Sequence, residues 1–150
     1  MLIWIVVGAV VGALVYGAIW WRRREQGRLL LAKHSIEAEE LHGILAGESR
    51  PRLYDVRQPL DLLAYSEIIP GSERISPKDI RANPSLIPMD VDAVVYCTCP
   101  DDETAREIVN KALALSFTRV RILRGGLAAW KAGGYPVERY TTAFHLDTPV

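Results

Sequence analysis

The hydrophobic positions of this chain fall into two regimes. From Leu2 to Trp21 they are unbroken, and LIWIVVGAVVGALVYGAIWW holds no charged residue. At 1.5 Å per residue such a run spans about 30 Å as a helix, the thickness of a bilayer's hydrocarbon core. Its apolar character runs all the way round, which argues against a helix buried in a soluble core. After Trp21 the apolar positions become short, periodic clusters separated by turn residues, as in a folded domain.

The periodicity predicts the following elements. Ser35 is placed as an N-cap, with Glu37, Glu39 and Glu40 in the first turns of a helix whose Ala38, Leu41 and Leu45 share one face. Gly47 ends it, and Pro51 precedes a short strand at Leu53–Val56. A short helix follows over Gln58–Ser66, then a turn at Ile69-Pro70-Gly71, a short strand at Glu73–Ser76 and a helical turn at Pro77–Ala82. Pro84 and Pro88 frame a loop. An apolar strand over Ala93–Cys97, a helix over Thr104–Leu115 and a strand over Val120–Leu123 come next. Gly125-Gly126 turns the chain into a short helix ending at Lys131, and Gly133-Gly134-Tyr135-Pro136 closes the domain. Strands alternating with helices imply an α/β layer around a parallel sheet. In such sheets the loops at the carboxyl ends of the strands form the site. Three segments should therefore meet: Asp55-Val56-Arg57, the loop after Cys97, and Arg124-Gly125-Gly126.

The flanks of the apolar run give it an orientation. Trp20 and Trp21 end it as interfacial aromatics do, and Arg22, Arg23 and Arg24 follow at once. The expectation is a retained single-pass membrane anchor over 2–21, with a basic juxtamembrane linker over 22–34 and a cytoplasmic domain over 35–138. The last residues, 139–150, show no periodicity and read as an extended tail. A cleaved signal peptide would carry its basic residues before the apolar stretch and small residues at its end, the reverse of what stands here. Gly8 and Gly12 form a G-x-x-x-G pair, a candidate homodimer face within the bilayer. The 18 Lys and Arg balance the 18 Asp and Glu, so no nucleic-acid partner is expected.

The chemistry centres on Cys97, one of two cysteines. It stands where a buried strand ends and a helix is about to begin. The unpaired backbone N–H groups there, with the helix dipole, favour a thiolate. Such a position suits a nucleophile or a persulfide carrier. The loop that follows, Thr98-Cys99-Pro100-Asp101-Asp102-Glu103-Thr104, opposes this with three carboxylates, and Pro100 removes one backbone donor.

Four segments in order resemble the rhodanese (sulfurtransferase) domain family. They are LYDVR at 53–57, IPGSERI at 69–75, VVYC at 94–97 and GGLAAWKAGGYPV at 125–137. The resemblance covers residues 35 to 138. It implies a doubly wound parallel sheet flanked by helices, here preceded by the transmembrane helix. It further implies catalysis by Cys97 alternating between thiolate and persulfide, with a sulfur donor and an acceptor as partners, and neither metal nor organic cofactor. Thr98, Cys99, Asp101, Asp102, Glu103 and Thr104 would line the substrate, with Arg57 and Arg124 as cations that could reach it.

The loop departs from the family's C-x-x-G-x-R-S pattern, although a subset of rhodanese-like domains carries a similar Cys-x-Cys-Pro loop. No arginine lies inside it, so thiosulfate should bind poorly and a protein or low-molecular-weight persulfide is the expected donor. The related C-x5-R phosphatases are excluded, because the arginine position is Glu103. The bland role for Asp101, Asp102 and Glu103 is capping of the following helix. Zinc is not expected, since only His34, His42 and His145 remain as further soft ligands and none lies near in sequence. Cys99 could resolve a persulfide on Cys97, or form a redox-active dithiol with it, or be inert. The alternative for the whole domain is a catalytically inactive rhodanese fold acting as a membrane-tethered binding or redox-sensing module.

Overall fold

The computed structural model describes residues 2–142, and the expected tail beyond them, with His145, lies outside the described residues. The chain divides after Lys33 into two compact units. The first contains one helix, α1 (Leu2–Lys33), which carries the basic stretch from Arg22 to Lys33 as continuous helix. Among the described residues, no helix is long and apolar enough to cross a membrane. The side chains of residues 2–7 and of Ala9, which belong to the apolar run, lie outside the described residues. Those described between Val10 and Trp21, among them Val11, Leu14, Tyr16 and Ile19, are exposed.

The second unit is the α/β domain. Its strands are β1 (Ser35–Ile36), β2 (Arg52–Asp55), β3 (Glu67–Ile68), β4 (Ser72–Arg74), β5 (Ala93–Tyr96), β6 (Val120–Leu123) and β7 (Glu138–Arg139). Its helices are α2 (Ala38–Leu45), α3 (Pro59–Ala64), α4 (Pro77–Ala82), α5 (Glu103–Ala114) and α6 (Gly126–Ala132). Five strands form one parallel sheet in the order β1-β6-β5-β2-β4. All four residues of β5 are buried, as expected of a strand covered on both faces. Period-2 alternation sends Val94 and Tyr96 to one face, where they pack with Leu53, Leu123, Leu41 of α2, and Leu127 and Trp130 of α6. Ala93 and Val95 point the other way. There α5 packs against β5 and β6, and α4 packs against α5.

The order of strands sets the position of the site. From β2 the chain moves outward to β4, then returns across β2 to β5 and continues to β6. The direction of winding therefore reverses between β2 and β5, whose register pairs Asp55 with Tyr96. Open α/β sheets bind ligands at such a reversal, beyond the carboxyl ends of the strands. Val56 and Cys97 are the next residues on those two strands, and Val56 N–H still donates to Tyr96 O at 3.0 Å.

Several local expectations shift. Ser35 is not an N-cap: Ile36 is buried and β1 pairs with β6, so the helix starts after Glu37, which makes no side-chain cap. His34 O accepts from Ile122 N–H at 2.8 Å and Ile36 O from Arg124 N–H at 3.0 Å, a long-range pairing that outweighs the local capping signal. The strand expected at Glu73–Ser76 lies at Ser72–Arg74, because Ser76 is spent capping α4 through Lys78 N–H. The two-stranded antiparallel sheet of β3 and β7 has no periodic signature at two residues per strand. In the closing segment, Trp130 Nε1 donates to Pro136 O at 2.8 Å. Gly133 is required there, since a Cβ would stand 2.4 Å from the Tyr135 ring.

Asp55 and Arg57 form a fully buried ion pair at the end of β2. Arg57 Nε donates to both Asp55 oxygens at 2.9 Å, one terminal nitrogen donates to Tyr65 O at 2.7 Å, and the other to Glu67 O at 2.8 Å. The guanidinium thus ties β2 to the segment leading into β3. Removing it strands a buried carboxylate. Arg57→Met should lower the stability of the full chain by about 3–5 kcal/mol in urea unfolding. A loss below ~1 kcal/mol would show that the pair is not the tie described.

Candidate active site

Cys97 follows β5 directly and has no exposed surface. The loop after it turns tightly: Pro100–Asp102 is a single 3-10 turn, Asp102 N–H donates to Cys99 O at 3.2 Å, and Asp101 and Asp102 both adopt left-handed backbone (φ 54° and 55°). Aspartate tolerates that region better than most residues. The turn delivers the chain into α5 at Glu103. The first amides of any helix lack intrahelical acceptors. Two amides act on the Cys97 sulfur: the backbone N–H of Ala105, in the first turn of α5, and that of Cys99 both favour its ionised form. The Asp102 side chain makes no capping bond to its own helix.

The acidic residues are therefore not a set of caps for α5, as the sequence suggested. Asp102 Oδ2 reaches across to the β6–α6 turn and accepts the Gly125 N–H at 2.7 Å. Burial pushes its carboxyl above the ordinary value, against that hydrogen bond and the charges of Arg106 and Arg124. Asp101 is exposed, and Glu103 is the exposed first residue of α5, where the helix dipole favours a negative charge. Thr98 is half-buried in the loop. Cys99 is half-buried as well, and its Sγ donates to Oγ1 of buried Thr104 at 3.0 Å.

The β6–α6 turn locks the strand end from the other side. Leu127 N–H donates to Cys97 O at 3.2 Å. Gly126 packs so closely that a Cβ would stand 1.9 Å from that oxygen, and its φ of +52° also favours glycine. The sequence places Gly125 and Gly126 at this edge as the turn into a helix, but reveals neither the close approach of Gly126 to Cys97 O nor the Ala105 amide. The Gly-Gly doublet after a strand was the available signal for the first; nothing marks an alanine amide.

Of the two expected cations, Arg57 does not face the loop, because its donors are consumed by Asp55, Tyr65 and Glu67. Arg124 stays at the edge, exposed, in an ion pair with Glu37 at 2.7 Å and bonded to Ser35 Oγ at 2.8 Å. Arg106, in the first turns of α5, lies near enough to act on Asp102. Two cavities, of about 410 and 440 Å³, lie among Ala64–Glu67 with Val137–Arg139, and around His42, Trp130 and Pro136; neither includes a residue of the Cys97 loop. Among the described residues no cluster of three or more His, Cys, Asp or Glu is arranged to hold a metal ion.

The expected thiolate is corrected by burial. Removal from water pushes the Cys97 thiol up to about 12, and the influence of the neighbouring Cys99 thiol adds to this. The amides of Ala105 and Cys99 pull the other way without prevailing. With the thiol's ordinary value at 9.0, the protonated form stabilises the fold below pH 9, and this is lost as pH rises toward 12. Alkylation of Cys97 by iodoacetamide, read by peptide mass spectrometry, should rise about tenfold per pH unit from 7 to 10 with no plateau. A plateau below about pH 8 would mean a thiolate already formed at rest.

A family model for the rhodanese-like domain matches residues 37–133. A protein from Allochromatium vinosum named sulfurtransferase is 29% identical over 104 residues, which cover 69% of this chain and 94% of that protein. The solution structure of the rhodanese-like domain of an Anabaena protein is 30% identical with a TM-score of 0.59, covering 78% of this chain and 90% of that one. The crystal structure of a thiosulfate sulfurtransferase from Pseudomonas aeruginosa is 27% identical with a TM-score of 0.55; the match covers 70% of this chain and 19% of that one. With the parallel sheet, the cysteine after its switch-point strand and the family match over most of the chain, this protein belongs to the rhodanese-like domain family.

Proposed function

We propose that this chain is a membrane-anchored sulfurtransferase that carries sulfane sulfur as a persulfide on Cys97. The observation that carries the reading is the position of Cys97, directly after the switch-point strand β5 and just ahead of the N-terminus of α5, where the amides of Cys99 and Ala105 favour its ionised form. Amides so placed hold an anionic sulfur without supplying a proton of their own. The Cys97 thiolate attacks the outer sulfur of a donor persulfide, R–S–SH. A new S–S bond forms on Cys97, the donor's S–S bond breaks, and R–SH leaves with the proton. The outer sulfur then passes to an acceptor nucleophile. The likeness to a sulfurtransferase over most of that protein's length supports the same chemistry.

The loop selects the donor and gates access. Asp101, Asp102 and Glu103 repel a small dianion such as thiosulfate, Arg57 is committed elsewhere, and Arg124 is shared with Glu37. A persulfide delivered on a thiol or a protein meets less repulsion. Cys97 has no exposed surface, so the donor gains entry when the loop lifts. The Asp102–Gly125 hydrogen bond is the contact that such a movement breaks. The same burial favours a second reading, a non-catalytic binding or redox-sensing module.

The anchor reading rests on the charge-free run from Leu2 to Trp21 ahead of three arginines, on its helical backbone, and on exposed apolar side chains such as Leu14, Ile19 and Trp21. The domain then lies in the cytoplasm, and Gly8 and Gly12 offer a face for a second copy of α1.

One experiment tests both parts. Membranes carrying the full chain are washed with alkaline carbonate, solubilised in detergent and treated with glutathione persulfide. The chain should stay with the membranes and then gain about 32 Da in intact mass, with Cys97→Ser gaining nothing. Extraction by carbonate would remove the anchor. An equal gain in Cys97→Ser, or none in any form, would leave the binding module.

A further inference from the structure

The short helix α3 is apolar on both of its faces. Pro59 and Leu62 turn inward and are buried. Leu60, Leu63 and the following Tyr65 turn outward, and they are 70%, 59% and 60% exposed. Leu60 and Leu63 are three apart, so they stand together on one face of the helix. A surface helix ordinarily carries polar residues there. The patch is also held rigidly. One terminal nitrogen of Arg57 donates to Tyr65 O at 2.7 Å and the other to Glu67 O at 2.8 Å, which fixes the end of α3 to the end of β2.

This face rises from the same sheet edge as the cysteine. The register pairs Asp55 with Tyr96, so Val56 lies beside Cys97 across about 4.8 Å. Leu60 is four residues beyond Val56, and chain geometry keeps it within about 20 Å of Cys97. An ordinary protein interface buries about 800 Å² per partner, a disc roughly 30 Å across. A protein seated over Cys97 therefore reaches α3. The exposed patch itself is on the order of 300 Å², the size of an apolar centre rather than of a whole footprint. The charges nearby fix the complement. Asp61 of α3 and Asp101 and Glu103 of the Cys97 loop make no ion pair among the described residues, whereas Arg57 and Arg124 are paired. Such a rim repels anionic lipid headgroups, and it repels itself across a two-fold axis. It attracts a cationic surface.

We propose that the outer face of α3 is the docking surface for a protein that exchanges sulfur with Cys97, and that this partner presents an apolar patch flanked by Lys or Arg. The proposal rests on the persulfide reading above and names the chemistry of the partner. The transfer is the one already written, with R the partner's cysteine residue. Docking brings the donor sulfur to the loop and leaves the bond-making to Cys97.

The test uses the full chain in detergent and a synthetic peptide with one cysteine persulfide set between two leucines and two lysines. Two control peptides replace the leucines by serine or the lysines by glutamate, and glutathione persulfide is the small donor. The rate of the ~32 Da gain is read by intact mass. Wild type should load from the first peptide at least about tenfold faster than from either control. Leu60→Ser/Leu63→Ser, altered only at exposed positions, should lose that preference while loading from glutathione persulfide at the wild-type rate. Equal peptide rates in wild type, or a preference that survives in the double variant, overturn the docking face and leave Cys97 as a carrier. If glutathione persulfide loads neither protein, the carrier reading falls first. A nitroxide at Leu63→Cys, in a Cys97→Ser/Cys99→Ser chain held in nanodiscs, checks the other occupants. It should meet a water-soluble relaxing agent more than oxygen and show no dipolar broadening. Preferential access to oxygen would give the face to the bilayer, and broadening that fades on dilution with unlabelled chain would give it to a second copy; either result overturns the proposal.

Discussion

The placement of Cys97 between the end of buried β5 and the first amides of α5 joins the two halves of this site. A helix start usually takes an oxygen from serine, threonine or aspartate. Here Asp102 makes no such bond and turns away to Gly125. The loop between them is consequently tight, with two left-handed aspartates. The glycine turn after β6 can approach only because Gly126 has no side chain. Each feature of the loop follows from placing one sulfur under one helix.

Burial and amide donation act on that sulfur in opposite directions, and burial prevails. Raising a thiol from 9.0 to about 12 corresponds to something on the order of 4 kcal/mol against ionisation in the closed form. The influence of the Ala105 and Cys99 amides does not offset the loss of water and the neighbouring thiol. The resting domain is thus a protected thiol, and on the proposed reading its reactivity depends on the loop lifting. That arrangement suits a carrier meeting a large donor better than one meeting free small anions.

Legibility from sequence followed the range of the interaction. The strand at 93–96 was plain, because a run of buried β-branched residues admits few alternatives, and the α5 helix was plain from its 3.6-residue period. The family match rested on segments that pack: Trp130 on Pro136, Tyr135 on Gly133, Asp55 with Arg57. Arg57 and Asp102 misled for the same reason. Their residue types say what they can bind, while their partners, Tyr65 and Glu67 for one and Gly125 for the other, are chosen by chain segments whose proximity is set only by the fold. Ser35 looked like a cap because capping is local, and the long-range pairing of β1 with β6 outweighed it. The burial of Cys97 was invisible because solvent exclusion there comes from the loop's closed form.

The most direct test reads the amide that the sulfur is said to hold. Native-state hydrogen exchange by NMR on the full chain in detergent should find the Ala105 N–H protected, and Cys97→Ala should speed its exchange about tenfold or more while β5 amides hold their protection. Unchanged exchange at Ala105 in Cys97→Ala would mean that another group caps α5, and that the sulfur is merely buried beside it.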